Sequence, residues 1–93
     1  MASFTTRVEL HNADSEDYDK LHEYMEKEGF SRKITSSDEI TYQLPTAEYN
    51  YLGEINISDL LDKAEVAAKK TKKTFEIQVT QSVGRKWIGL TKI

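Results

Sequence analysis

The sequence predicts one α+β domain of β-α-β-β-α-β order. Three observations carry this. Residues alternate apolar and polar at Phe4–Leu10, Ile40–Leu44 and Phe75–Val79, the period of half-buried strands. Two stretches, around 15–28 and 58–71, repeat apolar residues at helical spacing. Turn and cap residues stand between these runs where the period changes.

In chain order, Phe4, Thr6, Val8 and Leu10 form the inward side of a first strand, alternating with Ser3, Thr5, Arg7 and Glu9. His11-Asn12-Ala13-Asp14 breaks the pattern. Asp14 or Ser15 can cap a helix, and Glu16 and Asp17 suit its electropositive start. Tyr18, Leu21 and Met25 give that helix an apolar stripe, and Gly29 closes it. A short strand is expected over Phe30–Thr35, then a turn at Ser36-Ser37-Asp38 and a strand at Ile40–Leu44. The two are close enough to form a hairpin. Pro45 ends the second of them, since proline has no N–H for a ladder.

Residues 45–57 read as the longest irregular stretch. Asn56 or Ser58 can cap the second helix, whose expected buried stripe is Leu60, Leu61, Ala64, Ala67, Ala68 and Thr71. Lys69, Lys70, Lys72 and Lys73 load its end, where cations complement the helix dipole. After Phe75–Val79, Gly84 turns the chain, and Trp87-Ile88-Gly89-Leu90 reads as a short final strand or flap. This is the split βαβ order of the ferredoxin-like fold, an antiparallel sheet with two helices on one face, spanning residues 1–93 as a single domain. The other face is then lined by Ser3, Thr5, Arg7, Glu9, Thr41, Gln43, Glu76, Gln78 and Thr80. It carries no aromatic residue, which excludes an RNA-recognition motif that stacks bases on its central strands. A bare polar face of this kind is solvated or pairs with a second copy, so a homodimer through the sheet face is an expected partner state.

Composition narrows the function classes. There is no cysteine, which removes thiol nucleophiles, disulfides and cysteine-bound metals and favours a reducing, cytoplasmic compartment. The N-terminus has no basic region followed by an apolar run, and no apolar stretch approaches the roughly 20 residues of a membrane helix, so neither a signal peptide nor membrane insertion is expected. No histidine pair has zinc spacing, no glycine pattern matches a calcium loop or a phosphate-binding loop, and no metal or cofactor is implied. The acids at 14, 16, 17 and 19 are accounted for by helix capping.

The net charge of −3 conceals an asymmetry. Residues 1–62 balance to −9 and residues 63–93 to +6. The basic third supplies phosphate-binding candidates: Lys69, Lys70, Lys72, Lys73, Arg85 and Lys86, followed by Arg32 and Lys33 on the second strand. Their alternative role is a solvated helix end. His11 and His22 are the side chains that titrate near neutral pH. They are the candidates for general-base work on a ribose hydroxyl, or else ordinary surface histidines. Trp87 beside Arg85 and Lys86, and Tyr49 and Tyr51 in the irregular stretch, can stack bases or close the core, and packing is the expected role of Trp87 and Tyr51.

The phrases Phe4-Thr5-Thr6-Arg7-Val8-Glu9-Leu10, Glu28-Gly29-Phe30-Ser31 and Ile40-Thr41-Tyr42-Gln43-Leu44-Pro45-Thr46-Ala47-Glu48-Tyr49 resemble the GhoS antitoxin family. Val79-Thr80-Gln81 and the ending Arg85-Lys86-Trp87-Ile88-Gly89-Leu90 are similar to small bacterial and phage-borne relatives. The resemblance covers nearly the whole chain. It implies a ferredoxin-like fold and the activity of a type V toxin–antitoxin endoribonuclease, an RNA-cleaving or RNA-binding regulator with single-stranded RNA as partner. It implies no particular catalytic residue. The chain departs from the family in an acidic first helix, where GhoS carries arginines, and in its Trp-Ile-Gly-Leu ending. The competing expectation is a non-catalytic homodimeric interaction module, such as an accessory protein of a phage or mobile element.

Overall fold

A computed structural model describes residues 2–93. The fold is α+β with antiparallel sheets. Its elements are β1 (Ala2–Leu10), α1 (Ser15–Lys27), β2 (Lys33–Thr35), β3 (Thr41–Gln43), β4 (Glu48–Gly53), α2 (Ile57–Lys69), β5 (Phe75–Ser82) and β6 (Thr91–Lys92).

The main sheet has the order β4-β1-β5, antiparallel throughout. Along β1, Phe4, Thr6, Val8 and Leu10 point to the helical side and are buried. They meet Leu21 and Met25 of α1 and Leu60, Ala64, Ala67 and Ala68 of α2. Removing side chains such as Leu21 or Leu60 from water contributes about 2 kcal/mol each. The alanines of α2 let that helix lie close on the strands. Both helices therefore cover one face, as expected.

Both helix starts follow from short polar side chains. Asp14 accepts from the Asp17 N–H, and the Asp17 carboxylate returns the bond to the Asp14 N–H, a complete capping box. Asn56 caps α2 by accepting from the Asp59 N–H at 2.8 Å. Past the end of α1, Gly29 takes φ +95°, a left-handed conformation that costs glycine little. A Cβ there would also come within 3.2 Å of the Tyr51 ring.

Five features differ from the sequence expectation. The stretch 45–57 is not irregular, since Glu48–Gly53 is β4 and pairs with β1 in the register Thr6↔Tyr49 and Phe4↔Tyr51. The strand expected over Phe30–Thr35 is split. Ser31 alone bridges to Asn50 at the outer edge of β4, through Ser31 N–H to Asn50 O at 2.8 Å and Asn50 N–H to Ser31 O at 2.7 Å. The chain then leaves the main sheet. The hairpin of β2 and β3 instead joins β6 in a second small sheet of order β2-β3-β6, so Thr41 and Gln43 do not line the open face of the main sheet. The terminal strand falls at Thr91–Lys92 rather than at 87–90, because the partner it reaches is Tyr42 and Gln43 on β3. On α2, Leu61 is 42% exposed and lies outside the buried stripe, and Thr71 follows the helix, half-buried, with its hydroxyl donating to Ala68 O at 2.7 Å. Among the described residues, no helix is long and apolar enough to cross a membrane.

Candidate nucleic-acid interface

The C-terminal segment forms one wall of a cleft. After β5 it turns at Ser82–Gly84, crosses the Ser3 end of the open face and ends by pairing β6 with β3. Between this strap, the start of β1 and the β2–β3 hairpin lies a cleft of about 740 Å³. Its walls bring together Arg85, Lys86 and Trp87 from the strap, Ser3 and Ser82 from the main sheet, and Thr35, Ser37 and Tyr42 from the hairpin. Among the described residues no carboxylate lines it, in a chain of net charge −3. The hairpin turn holds two acids, Asp38 and Glu39, and Asp38 is engaged by the Ser36 hydroxyl.

Arg85 is the residue that fixes the strap. A single guanidinium nitrogen, Nη1, donates to Asn50 Oδ1 at 2.8 Å, Thr5 Oγ1 at 3.3 Å and Phe4 O at 3.4 Å. The Nε and Nη2 donors carry no such bond among the described residues. Burial pulls the Arg85 pKa below its ordinary value, and the group stays charged at neutral pH. Asn50 is in turn a joint, because its Nδ2 donates to Lys33 O on the hairpin at 3.2 Å. Trp87 stands edge-on to Tyr42, with ring centroids 5.4 Å apart. The hydroxyls divide into committed and free. Thr35 bonds Thr41 at 3.0 Å and Ser82 donates to Gly84 O at 3.1 Å, whereas Ser3 and Ser37 keep hydroxyls without a protein partner among the described residues.

The other basic candidates lie elsewhere. Lys69, Lys70, Lys72 and Lys73 precede β5, whereas Arg85 and Lys86 follow it. An eight-residue strand separates its ends by roughly 25 Å at about 3.3 Å per residue. The two groups do not share an edge. Most of the lysine cluster is also engaged. Lys69 pairs with Glu65 at 3.8 Å, Lys70 stands over the Tyr24 ring at 5.9 Å, and Lys73 donates to Asn12 O at 3.1 Å and faces Asp17 at 3.7 Å. Lys33 is exposed on β2. Arg32 is turned inward, bonding His22 and the Leu44 carbonyl and standing over Tyr49 at 5.8 Å.

Neither histidine lies in the cleft. His22 uses both ring nitrogens, Nδ1 to Tyr49 Oη at 2.6 Å and Nε2 to Arg32 Nη1 at 2.7 Å. Burial, then the Arg32 charge, lowers its pKa against an opposing pull from Asp19. Burial raises that of Tyr49. His11 sits at the far end of β1, half-exposed, with Nε2 3.1 Å from Glu76. Sequence reasoning missed Ser3, Ser37, Tyr42 and Asn50. The alternation of Tyr49 and Tyr51 with Asn50 and Leu52 was the available signal for β4, and hence for Asn50. Compared with known proteins, the chain matches no family model and no curated sequence.

Proposed function

We propose that this chain is an RNA-binding regulator that takes a single strand into the cleft between the C-terminal strap and the β2–β3 hairpin. The observation that carries the reading is the lining of that cleft. Two cations, an aromatic pair and free hydroxyls converge there with no carboxylate among the described residues, on a protein of net charge −3. Such a lining suits a phosphate chain whose bases can stack. Arg85 meets phosphate with its unused guanidinium edge, Lys86 adds a second charge, and Trp87 with Tyr42 offers ring surface to a base. The resemblance to the GhoS antitoxins favours RNA, and the absence of cysteine fits a cytoplasmic site of action. Binding is better supported than cleavage. The His22 lone pair is taken by Arg32, and His11 lies at the opposite end of β1 from Ser3, so neither offers a general base within reach of a strand in the cleft.

Trp87 is the single tryptophan, so its fluorescence reports on the cleft. Titration with a single-stranded RNA at micromolar protein should change that signal, and affinity should fall with salt. The Lys86→Gln variant should lower the salt slope by roughly 0.7, the value for one single-strand phosphate contact. An unchanged tryptophan signal together with no salt-sensitive binding would overturn the reading.

A further inference from the structure

The outer edge of β5 is unpaired. β5 runs Phe75–Ser82 and is bonded to β1 along its whole length, but it ends the order β4-β1-β5, with no strand beyond it among the described residues. The devices that blunt such an edge in monomeric proteins include proline, bulges and charged side chains, lysine above all; β5 carries one charge, Glu76. Phe-Glu-Ile-Gln-Val-Thr-Gln-Ser contains neither proline nor lysine, and its pairing with β1 is continuous, without a bulge.

The ladder tells which groups face outward. His11 N–H donates to Thr74 O at 2.9 Å, so Thr74 turns its backbone toward β1. By the alternation of an antiparallel ladder, Glu76, Gln78, Thr80 and Ser82 do the same. Phe75, Ile77, Val79 and Gln81 therefore present their N–H and C=O groups to the free edge. On the helical face, Phe75, Ile77 and Val79 are also only partly buried against the core.

We propose that this edge pairs with the same edge of a second copy, antiparallel about a two-fold axis through Gln78, to give one continuous sheet across two chains. One symmetric register pairs every outward residue within the strand: Phe75 with Gln81 and Ile77 with Val79, each twice. A shift of two residues in either direction leaves an end residue without a strand partner. A shift of one would set the helical face of one copy beside the open face of the other. In the chosen register Ile77 and Val79 cover each other on the helical face. On the open face Glu76 meets Thr80 and Gln78 meets its own symmetry mate, so no like charges oppose. The axis lies at the sheet edge, not on the open face, whose Ser3 end the strap already crosses. This pairing does not depend on RNA binding.

The register is read with cysteine probes, which the natural chain lacks. Gln78 faces its mate as a non-hydrogen-bonded pair, where Cα atoms lie about 4.5 Å apart, within disulfide reach. Light scattering should give a mass that rises with concentration toward twice 10.7 kDa. Gln78→Cys should form a disulfide-linked dimer on mild oxidation, and Thr80→Cys should not. Both substitutions are at exposed positions, and circular dichroism confirms that each variant is folded. As a second readout, Gln78→Lys and Gln78→Glu should each remain monomeric and should recover the dimer when mixed. Three results would each overturn the proposal: a mass of 10.7 kDa at every concentration, a Gln78→Lys variant as dimeric as the parent, or readier cross-linking of Thr80→Cys than of Gln78→Cys.

Discussion

Arg32 Nη1 donates to His22 Nε2 at 2.7 Å. A guanidinium only donates, so Nε2 holds its lone pair toward Arg32 and the imidazole proton sits on Nδ1, from which it donates to Tyr49 Oη at 2.6 Å. The pair joins α1 to the start of the hairpin through a neutral histidine. Protonation would set an imidazolium against the guanidinium.

Stability should therefore fall in mild acid. The folded pKa of His22 lies below the ordinary 6.5, through burial and then Arg32. The unfolded chain binds the proton first as pH drops, so it holds more protons than the folded chain in the window below 6.5. Folding stability is complete above that value and declines as pH falls toward the folded pKa, below which this contribution levels off. Asp17, held low mainly by the Asp14 backbone N–H, adds a separate loss below about 3.8. Denaturant midpoints measured from about pH 7.5 down to about pH 5 should decline in the parent, and the decline should flatten in His22→Gln. An equal decline in both would assign it to other groups.

Much of this architecture was legible locally. β1, α1, α2 and β5 are each specified by residues within the element: strict alternation at Phe4–Leu10, the Asp14–Asp17 capping box, the alanine stripe, the Phe75–Val79 repeat. β4 was not, because its alternation is short: Tyr49, Asn50 and Tyr51 carry it, and Leu52, apolar yet exposed on the open face, breaks it. The hairpin was legible as a pair of strands but not as a departure from the main sheet. Nothing in two three-residue strands says which sheet they join, and β6, far along the chain, supplies the partner. The cleft was half legible. Charge singles out Arg85 and Lys86, but the anchoring of Arg85 by Thr5 and Asn50 links residues distant in sequence.

Thr6 should be improvable. It is fully buried between Tyr49 and Val79 on neighbouring strands, and its hydroxyl has no hydrogen-bond partner among the described residues. Valine keeps the β-branched shape and removes the unpaired oxygen. Thr6→Val should raise stability by about 1 kcal/mol, seen as a higher denaturant midpoint at unchanged slope. A lower midpoint would show that the hydroxyl is bonded in solution.

The two basic groups should separate by experiment. Lys73, in the turn after α2, is tied to Asn12 and to Asp17 at the start of α1, a partly exposed contact. Lys73→Gln should cost less than about 1 kcal/mol and leave RNA affinity unchanged, in contrast to Lys86→Gln. If the Lys73 variant instead lowered the salt slope, the strand would run over the helix end rather than through the cleft.

Asn50 should be the most sensitive polar position. Its backbone closes the bridge to Ser31, its Nδ2 holds Lys33 O on the hairpin, and its Oδ1 holds Arg85 on the strap. It is 8% exposed, so truncation leaves the Arg85 guanidinium and the Lys33 carbonyl short of a partner with little room for water. Asn50→Ala should cost about 1–3 kcal/mol, the scale for stranding buried polar groups. The loss should also have a pattern. Amide hydrogen exchange should speed up at β6 and in the β2–β3 hairpin together, since both depend on this side chain, while β5 and α2 exchange as before. Asn50→Asp separates the two bonds. It keeps an acceptor for Arg85, with added charge, but loses the donor to Lys33, so it should protect the strap while loosening the hairpin. Equal loosening of both segments in Asn50→Asp would show that the strap is held by the hairpin through β6 and not by Arg85.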